Sequence, residues 1–334
     1  MNQPLFCNLA SAIHWHLTNN DHPLQIDYFM PTRALITSGG GAKGAFTVGA
    51  LSALAERGIN SYDIISGTST GALLSALSVL GKFSELREIY LSVDNDDILT
   101  KQNIVSNILN ERPFIYDTDP LLQMINQHIT DDVFDQIMAS PTILCLTAIS
   151  LQSGKITVFC TKDIPSTENY SVSVIASRQR LIDALLASSS QAGFLKPVSI
   201  DTGSGIEQFV DGGNRDVIPS RVVTDLNPDE IYVMSNNPSA LFPGDADYSH
   251  TSVLNVISRA ISIFIQDVRE NDLAVLEDYV RRTNRKVFRI EPSEDLDPAH
   301  ATGLNFNRTA MTVWMGMGRS EAASVVPNRP LRPF

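Results

Sequence analysis

The sequence predicts an α/β fold organised on a mostly parallel sheet. Two observations carry that expectation. Strand-like and helix-like segments alternate twice between Arg33 and Gly81, each pair joined by a glycine-bearing turn, and such alternation calls for parallel pairing with crossovers. The 334 residues are 43% hydrophobic, a globular composition, and the length suits one large domain of roughly 250–300 residues with extensions. No Pro/Gly/Ser-rich linker divides the chain and no internal repeat is present. The expected organisation is an extension over 1–30, a domain over 31–325 and a tail over 326–334.

Residues 1–30 read as a short helix from Leu9 to Leu17 and a polar loop. "RALIT", Arg33 to Thr37, is the first strand. Beyond the glycines that follow, Phe46, Leu51, Leu54 and Ala55 recur at helical spacing, and Gly58 is placed as the C-terminal cap. "YDIIS" is the second strand. "GTSTG" then turns the chain into "ALLSALSVLG", a small-residue helix closing at Gly81. From Phe83 to Ile137 the pattern is mostly helical, with a start signal at Thr118 or Asp119 followed by Pro120. "TILCLTAISLQSGKITVFC" is two strands around a turn at Ser153 and Gly154, and "LIDALLASSSQAGF" is a helix expected to break at Gly193. "EQFVDGG" ends a strand in a sharp turn, and "EIYVMSN" is another strand. A long helix or helix pair spans Val253 to Arg282, "RKVFRIEP" is the last strand, and a C-terminal helix runs from Met311 to Ala323.

Three short stretches carry candidate chemistry. Gly67-Thr68-Ser69-Thr70-Gly71 fits G-x-S-x-G between an apolar strand and a helix. In that context the pattern exposes a serine nucleophile on a tight turn whose flanking glycines remove colliding side chains, and the helix N-terminus favours negative charge beside Ser69. The bland alternative is a serine that caps a helix in a glycine-lined turn. The second stretch is "SGGGAKGAF". Its Gly39, Gly41 and Gly44 satisfy the G-x-G-x-x-G of a dinucleotide loop, so a nicotinamide or flavin oxidoreductase using Gly39 to Gly44 is one reading. The acid such a site needs is misplaced, because Asp63 begins its strand rather than ending it. A phosphate-binding P-loop is excluded, since its lysine follows the last glycine and Lys43 precedes Gly44. The remaining reading is an oxyanion hole, with backbone N–H groups near Gly40 and Gly41 at the same sheet edge as Ser69.

A serine nucleophile needs a base. Three of the six histidines (His14, His16, His22) precede the domain, His128 lies in a helix–loop stretch, and His250 and His300 sit in polar, loop-like surroundings. In "VDGGNRDVIP", Asp211 ends a strand and Gly212 and Gly213 follow, leaving its carboxylate uncrowded. Asp-Gly-Gly turns are common for structural reasons alone. An ordinary carboxylate, with a pKa near 4, is also a poor base at neutral pH unless burial raises that value.

"SGGGAKGAF", "SGTSTGAL" and "FVDGGNRDVIP" resemble, in order and in context, the three sequence blocks of the patatin-like phospholipase family. "FIYDTDPL", "ALLASSSQAGFLKPV", "SRAISIFIQDVRENDL" and "GLNFNRTAMTVWMGMGRSEAA" resemble further blocks, so the likeness covers roughly Arg33 to Ala323. The chain departs from it at Ala192-Gly193-Phe194, where the family often has Ala-Pro before the aromatic. The resemblance implies a three-layer α/β/α fold and a serine lipid acyl hydrolase of phospholipase A or lysophospholipase type. It also implies a Ser69–Asp211 dyad without histidine, supported by Gly67, Gly71, Gly212 and Gly213. The oxyanion loop would comprise Gly39, Gly40, Gly41 and Gly44, with Lys43 fixing the loop or adding positive charge. No metal or cofactor is expected. The implied partner is a phospholipid or lysophospholipid met at a membrane surface, with room for an activator or a homo-oligomer. A non-catalytic lipid- or partner-binding module on the same fold is the other alternative.

The formal net charge of −12 argues against nucleic acid as a partner. The most basic stretch, "RRTNRKVFR", reads more simply as a solvated helix end. Cys7, Cys145 and Cys160 form no metal-ligating spacing and imply no disulfide framework. The first residues lack the basic and apolar regions of a secretory signal, and no apolar run approaches the ~18–20 residues of a membrane span. The expectation is a cytoplasmic protein that at most visits a membrane surface.

Overall fold

The computed structural model describes residues 31–98, 100–101, 114–239, 253–297 and 303–326. The expectations for residues 1–30 and for the tail beyond 326 lie outside the described residues. The described residues open with β1 (Arg33–Thr37), α1 (Gly44–Glu56), β2 (Ile64–Thr68), α2 (Thr70–Ser78) and α3 (Phe83–Ser92). A short helix α4 (Asn95–Ile98) and two-residue strands β3 (Thr100–Lys101) and β4 (Tyr116–Asp117) lead to α5 (Asp119–His128) and α6 (Asp131–Ala139). Next come β5 (Ile143–Ser150), β6 (Ile156–Cys160), β7 (Tyr170–Val174), α7 (Arg178–Ser189), β8 (Val198–Asp201) and β9 (Ile206–Asp211). Then follow α8 (Ser220–Asp225), β10 (Glu230–Met234), α9 (Val253–Thr283), β11 (Lys286–Ile290) and α10 (Arg308–Val325).

The main sheet runs β11-β10-β1-β2-β5-β6-β7. Its first five strands are parallel. Strand β6 returns antiparallel to β5, and β7 lies parallel to β6. Ala34, Leu35 and Ile36 of β1 are all fully buried, as expected where a parallel sheet is covered on both faces and its strands read as apolar runs. Leu35 and Ile65 face a core with Phe46, Leu51, Leu185 and Trp314, while Ala34, Ile36 and Ile231 face one with Val222, Leu276 and Tyr279. The result is the expected three-layer α/β/α arrangement, with α8 and α9 on one side and α1, α2, α7 and α10 on the other.

Most of the expected elements form. Gly58 follows α1 at φ 74, the left-handed cap its position suggested. Cys145 and Cys160 are buried cross-strand neighbours. Within the basic stretch, Arg282, Arg285, Lys286 and Arg289 each face an acid. Helix α7 differs, ending at Ser189 rather than at Gly193. Ser190 leaves the helical region at φ −82, ψ 80, and its carbonyl accepts the Asp211 N–H at 2.9 Å. A tertiary hydrogen bond to β9 therefore ends the helix before the glycine does.

Helices α1 and α10 meet backbone to backbone. A Cβ on Gly49 would lie 2.0 Å from the Met315 carbonyl oxygen, and one on Gly318 would lie 2.0 Å from that of Phe46. Nothing stands within 4 Å of a Cβ placed on Gly316, in the same helix. Gly49→Ala and Gly318→Ala should each cost about 1–3 kcal/mol through overpacking, read as a lower chemical-denaturation midpoint. Gly316→Ala should leave that midpoint unchanged or raise it, because alanine favours the helix.

Candidate active site

Four parallel strands end at one edge of the sheet. In register, Ile290 of β11 lies beside Met234 of β10, Met234 beside Thr37 of β1, and Thr37 beside Gly67 of β2. The loops leaving this edge are the glycine loop after β1, Ser69 after β2, Asn236 and Asn237 after β10, and residues 291–297 after β11. Asp211 arrives from the opposite direction. On one edge of β5, Thr68 is opposite Thr147, and Asp211 is opposite the next residue, Ala148. Strand β2 runs parallel to β5 and β9 antiparallel to it, so their C-terminal ends meet head to head.

Ser69 sits at φ 59, ψ −132, a backbone conformation that side chains other than glycine's rarely adopt. It is over-determined by its neighbours. The Ser69 N–H donates to Ser188 Oγ at 3.0 Å, and Ser189 Oγ lies 3.3 Å from the Ser69 carbonyl. A Cβ on Gly71 would lie 2.2 Å from the Thr37 carbonyl oxygen, so the first turn of α2 packs directly on the end of β1. Thr68 Oγ1 meets Thr147 Oγ1 and donates to the Asp216 carbonyl at 2.7 Å, tying the end of β2 to the loop beyond Asp211.

The Asp211 carboxylate is buried, 7% exposed. Burial pushes its pKa up to about 6, against hydrogen bonds from the Ser69 side chain and the Gly213 N–H that favour the charged form. The Gly213 N–H donates to Asp211 Oδ1 at 2.7 Å, and Asn214 Nδ2 donates to the Asp211 carbonyl at 2.9 Å. A carboxylate with a pKa near 6 is largely ionised at neutral pH and better matched to proton transfer than an ordinary aspartate.

The glycine loop lies over Ser69. A Cβ on Gly39 would stand 3.1 Å from Ser69 Cβ and 3.7 Å from Ser69 Oγ. Gly40 and Gly41 adopt φ 145 and φ 58, a pair of conformations that only glycine accommodates without strain. The N–H groups of Ala42 and Lys43 donate to the carbonyls of Gly303 and Gly40. Among the described residues, the Gly40 and Gly41 N–H groups have no recorded acceptor. Asn236 pins the loop, donating through Nδ2 to the carbonyls of Ser38 and Gly39 at 3.1 and 3.2 Å while its Oδ1 accepts from Thr47. Lys43 is buried, and its ammonium reaches Asp295 at 2.6 Å and Asn237 at 3.2 Å, which favours a loop-fixing role over a charge aimed at substrate. Gly44 packs against Tyr90 and Thr70, and Gly67 and Gly212 fit against Gly71 and Thr147.

A cavity of about 210 Å³ opens beside Ser69, Asp211 and the glycine loop. Leu73, Leu77, Leu86, Ile125, Ile129 and Leu195 form its apolar arm. His128 also lines it and faces Glu85 at 3.2 Å; the other five histidines lie outside the described residues. Asp63 accepts the Arg33 N–H at 2.7 Å, at the far edge of the sheet, so the dinucleotide reading has no acid at the ligand end of β2. Among the described residues no acid, histidine and cysteine group could hold a metal. The motifs did not single out Ser188, Ser189, Asn236, Asp295 or Gly303. Three serines at the end of an apolar helix pattern and two asparagines at a strand end were the available signals.

The sequence profile of the family described as patatin-like phospholipase matches residues 35–224, 190 of the 334 residues. The chain is 27% identical over 229 residues to the uncharacterized protein YjjU of Escherichia coli strain K12, covering 67% of this chain and 57% of that protein. It is 27% identical over 179 residues to a cGAMP-activated phospholipase of Escherichia coli strain TW11681, covering 49% and 48%. The chain thus spans about half the length of these relatives. Among solved structures, VipD from Legionella pneumophila aligns at a TM-score of 0.40 and 13% identity, over 87% of this chain and 67% of VipD. The type III effector ExoU aligns at 0.37 and 13%, over 90% and 54%. With more than half of its residues inside the family profile, the chain belongs to the patatin-like phospholipase family.

Proposed function

We propose that the protein is a serine lipid acyl hydrolase that cleaves fatty-acyl esters through Ser69 and Asp211. One observation carries this reading: a buried carboxylate, raised towards neutrality, meets head to head with a serine on a strained turn at the mouth of an apolar cavity. Asp211 takes the Ser69 proton as Oγ attacks the ester carbonyl. The oxyanion forms beneath the glycine loop, where the Gly40 and Gly41 N–H groups are the supported donors, each contributing about 3–4 kcal/mol of transition-state stabilisation. The proton passes to the departing alcohol, leaving an acyl-enzyme. Water then gives its proton to Asp211 and attacks the acyl carbonyl, and Asp211 passes that proton to Ser69 Oγ as the fatty acid leaves. The apolar arm accommodates the acyl chain. The nucleotide-cofactor reading loses support with Asp63 engaged elsewhere.

Peripheral membrane contact belongs to the same reading. Val256, Ile263 and Phe264 are exposed on α9, beside the Ser262, Ile265 and Gln266 positions that line the cavity. Apolar side chains next to a lipid-accepting opening suit an interfacial surface.

Ser69→Ala and Asp211→Asn should each lower kcat on a defined lysophospholipid by about a thousandfold or more. Near-full activity in either variant overturns the dyad, and failure of Ser69 to react with a fluorophosphonate probe favours the non-catalytic module. Because Asp211 must be unprotonated to act as base, kcat/KM should rise with pH through about 6 and level off above it. A kcat/KM that stays flat from about pH 5 to about pH 8 would remove that assignment. Phe264→Ser should reduce hydrolysis of vesicle-borne phospholipid more than hydrolysis of a soluble short-chain ester, measured side by side.

A further inference from the structure

Helices α3 and α5 both border the cavity beside Ser69, and their periodicity sorts the residues that face it. On α5, among the described residues, Leu121 and Ile125 line that cavity, while Pro120, Gln123 and Gln127 line a separate polar groove outside it. Met124 and His128 line both. On α3 and just beyond it, Leu86 and Tyr90 belong to the cavity, Ser92 to the groove, and Ile89 and Val93 to both. Residues three or four apart share one helix face. Ile89 with Val93, and Met124 with His128, therefore form two rows along a seam between the cavity and the groove.

The seam is held unequally along its length. His128 Nδ1 lies 3.2 Å from Glu85, and Lys82 reaches the same carboxylate at 3.3 Å, so polar contacts fix that end. Met124 is half-buried and packs against the apolar core. Its unbranched thioether turns about three bonds and fills irregular gaps, which makes it the adaptable part of the wall. Replacing it changes the space beside the cavity without removing a hydrogen bond.

The apolar arm follows α2, where Leu73, Leu74 and Leu77 line it. From Thr70 to Leu77 that helix rises about 10 Å, at about 1.5 Å per residue. An extended acyl chain advances about 1.25 Å per carbon, so about eight carbons fill the same length. A longer chain has to turn aside near Leu77 and Leu86, towards α5 and the seam. We propose that Met124 sets the acyl-chain length the enzyme accepts, because beyond about eight to ten carbons the chain meets the wall that Met124 completes. This rests on the hydrolase reading above.

The test is kcat/KM across p-nitrophenyl esters from butyrate to palmitate, at one detergent concentration, each value taken relative to butyrate with the same variant. In the wild type it should climb about fourfold per methylene while the chain fills the arm, then flatten or fall beyond about ten carbons. Met124→Ala, which removes Cγ, Sδ and Cε from the wall, should raise the palmitate-to-octanoate ratio about tenfold. Met124→Trp should lower that ratio by about as much. Gln123→Ala, on the groove side alone, should leave it unchanged. A wild-type profile that climbs without a break to palmitate overturns the proposal. So does a ratio that neither Met124 substitution moves, one that falls in Met124→Ala, or one that Gln123→Ala moves as far. General damage lowers both rates together and leaves the ratio unchanged. Either Met124 variant decides if the other does not fold, and the wild-type profile decides without them. Absence of both ester hydrolysis and fluorophosphonate labelling defeats the hydrolase reading instead. Binding of octanoic and palmitic acids to the wild type and to Met124→Ala then carries the chain-length question. The same shift is expected there, and an unchanged ratio of affinities overturns the role of Met124.

Discussion

Strands β2 and β9 share one edge of β5, and the geometry of the site follows from how they divide it. β2 covers residues 143–147 in parallel, and β9 covers 148–150 in antiparallel. The two chains run towards each other and stop one β5 residue apart. Backbone register thus brings Ser69 and Asp211 together before any side chain is chosen. Such register is strongly specified, because a slip of one residue turns every side chain to the opposite face. The same packing that sets the distance excludes water from the Asp211 carboxylate and raises its pKa. Position and basicity have one origin.

The glycine loop depends on a different set of supports. Its conformation is open to glycine, yet glycine alone does not hold it, since glycine has more conformational freedom to lose on folding than any other residue. Three contacts from distant sequence select the conformation: Asn236 on the carbonyls of Ser38 and Gly39, Asp295 on Lys43, and the Gly303 carbonyl on the Ala42 N–H. Held this way, the loop beside Ser69 is fixed, the condition under which its dipoles would act most strongly on charge developing in the proposed reaction.

Much of this was legible in the sequence where chemistry and backbone geometry coincide. Gly39 to Gly44, Gly67 to Gly71 and Asp211 to Gly213 each need particular residues at particular turns, so the motif and the fold specify the same thing. The end of α7 was not legible, because Ser190 leaves the helix to serve Asp211, a partner whose proximity is set by sheet order rather than by local pattern. Lys43 shows a similar limit. Its place in the loop could be read from the sequence, but whether its charge faced the substrate or a carboxylate depended on Asp295, 252 positions away. The Gly49 and Gly318 contact was likewise hidden, since "VGAL" and "MGMG" look like ordinary helix with a weak position in it.

The supports of the glycine loop also bear on what counts as the functional unit. The family profile ends at residue 224, after Ser69 and Asp211 but before Asn236, Asp295 and Gly303. The proposed reacting groups come from the part of the chain that families are recognised by, and the contacts that hold the loop come from the part that follows. A shorter polypeptide ending near residue 224 would keep the pair of side chains while leaving the glycine loop without its three anchors. In this protein, the segment with the recognisable signature and the segment that makes it rigid are separate lengths of chain, and modularity drawn from motifs alone would cut between them.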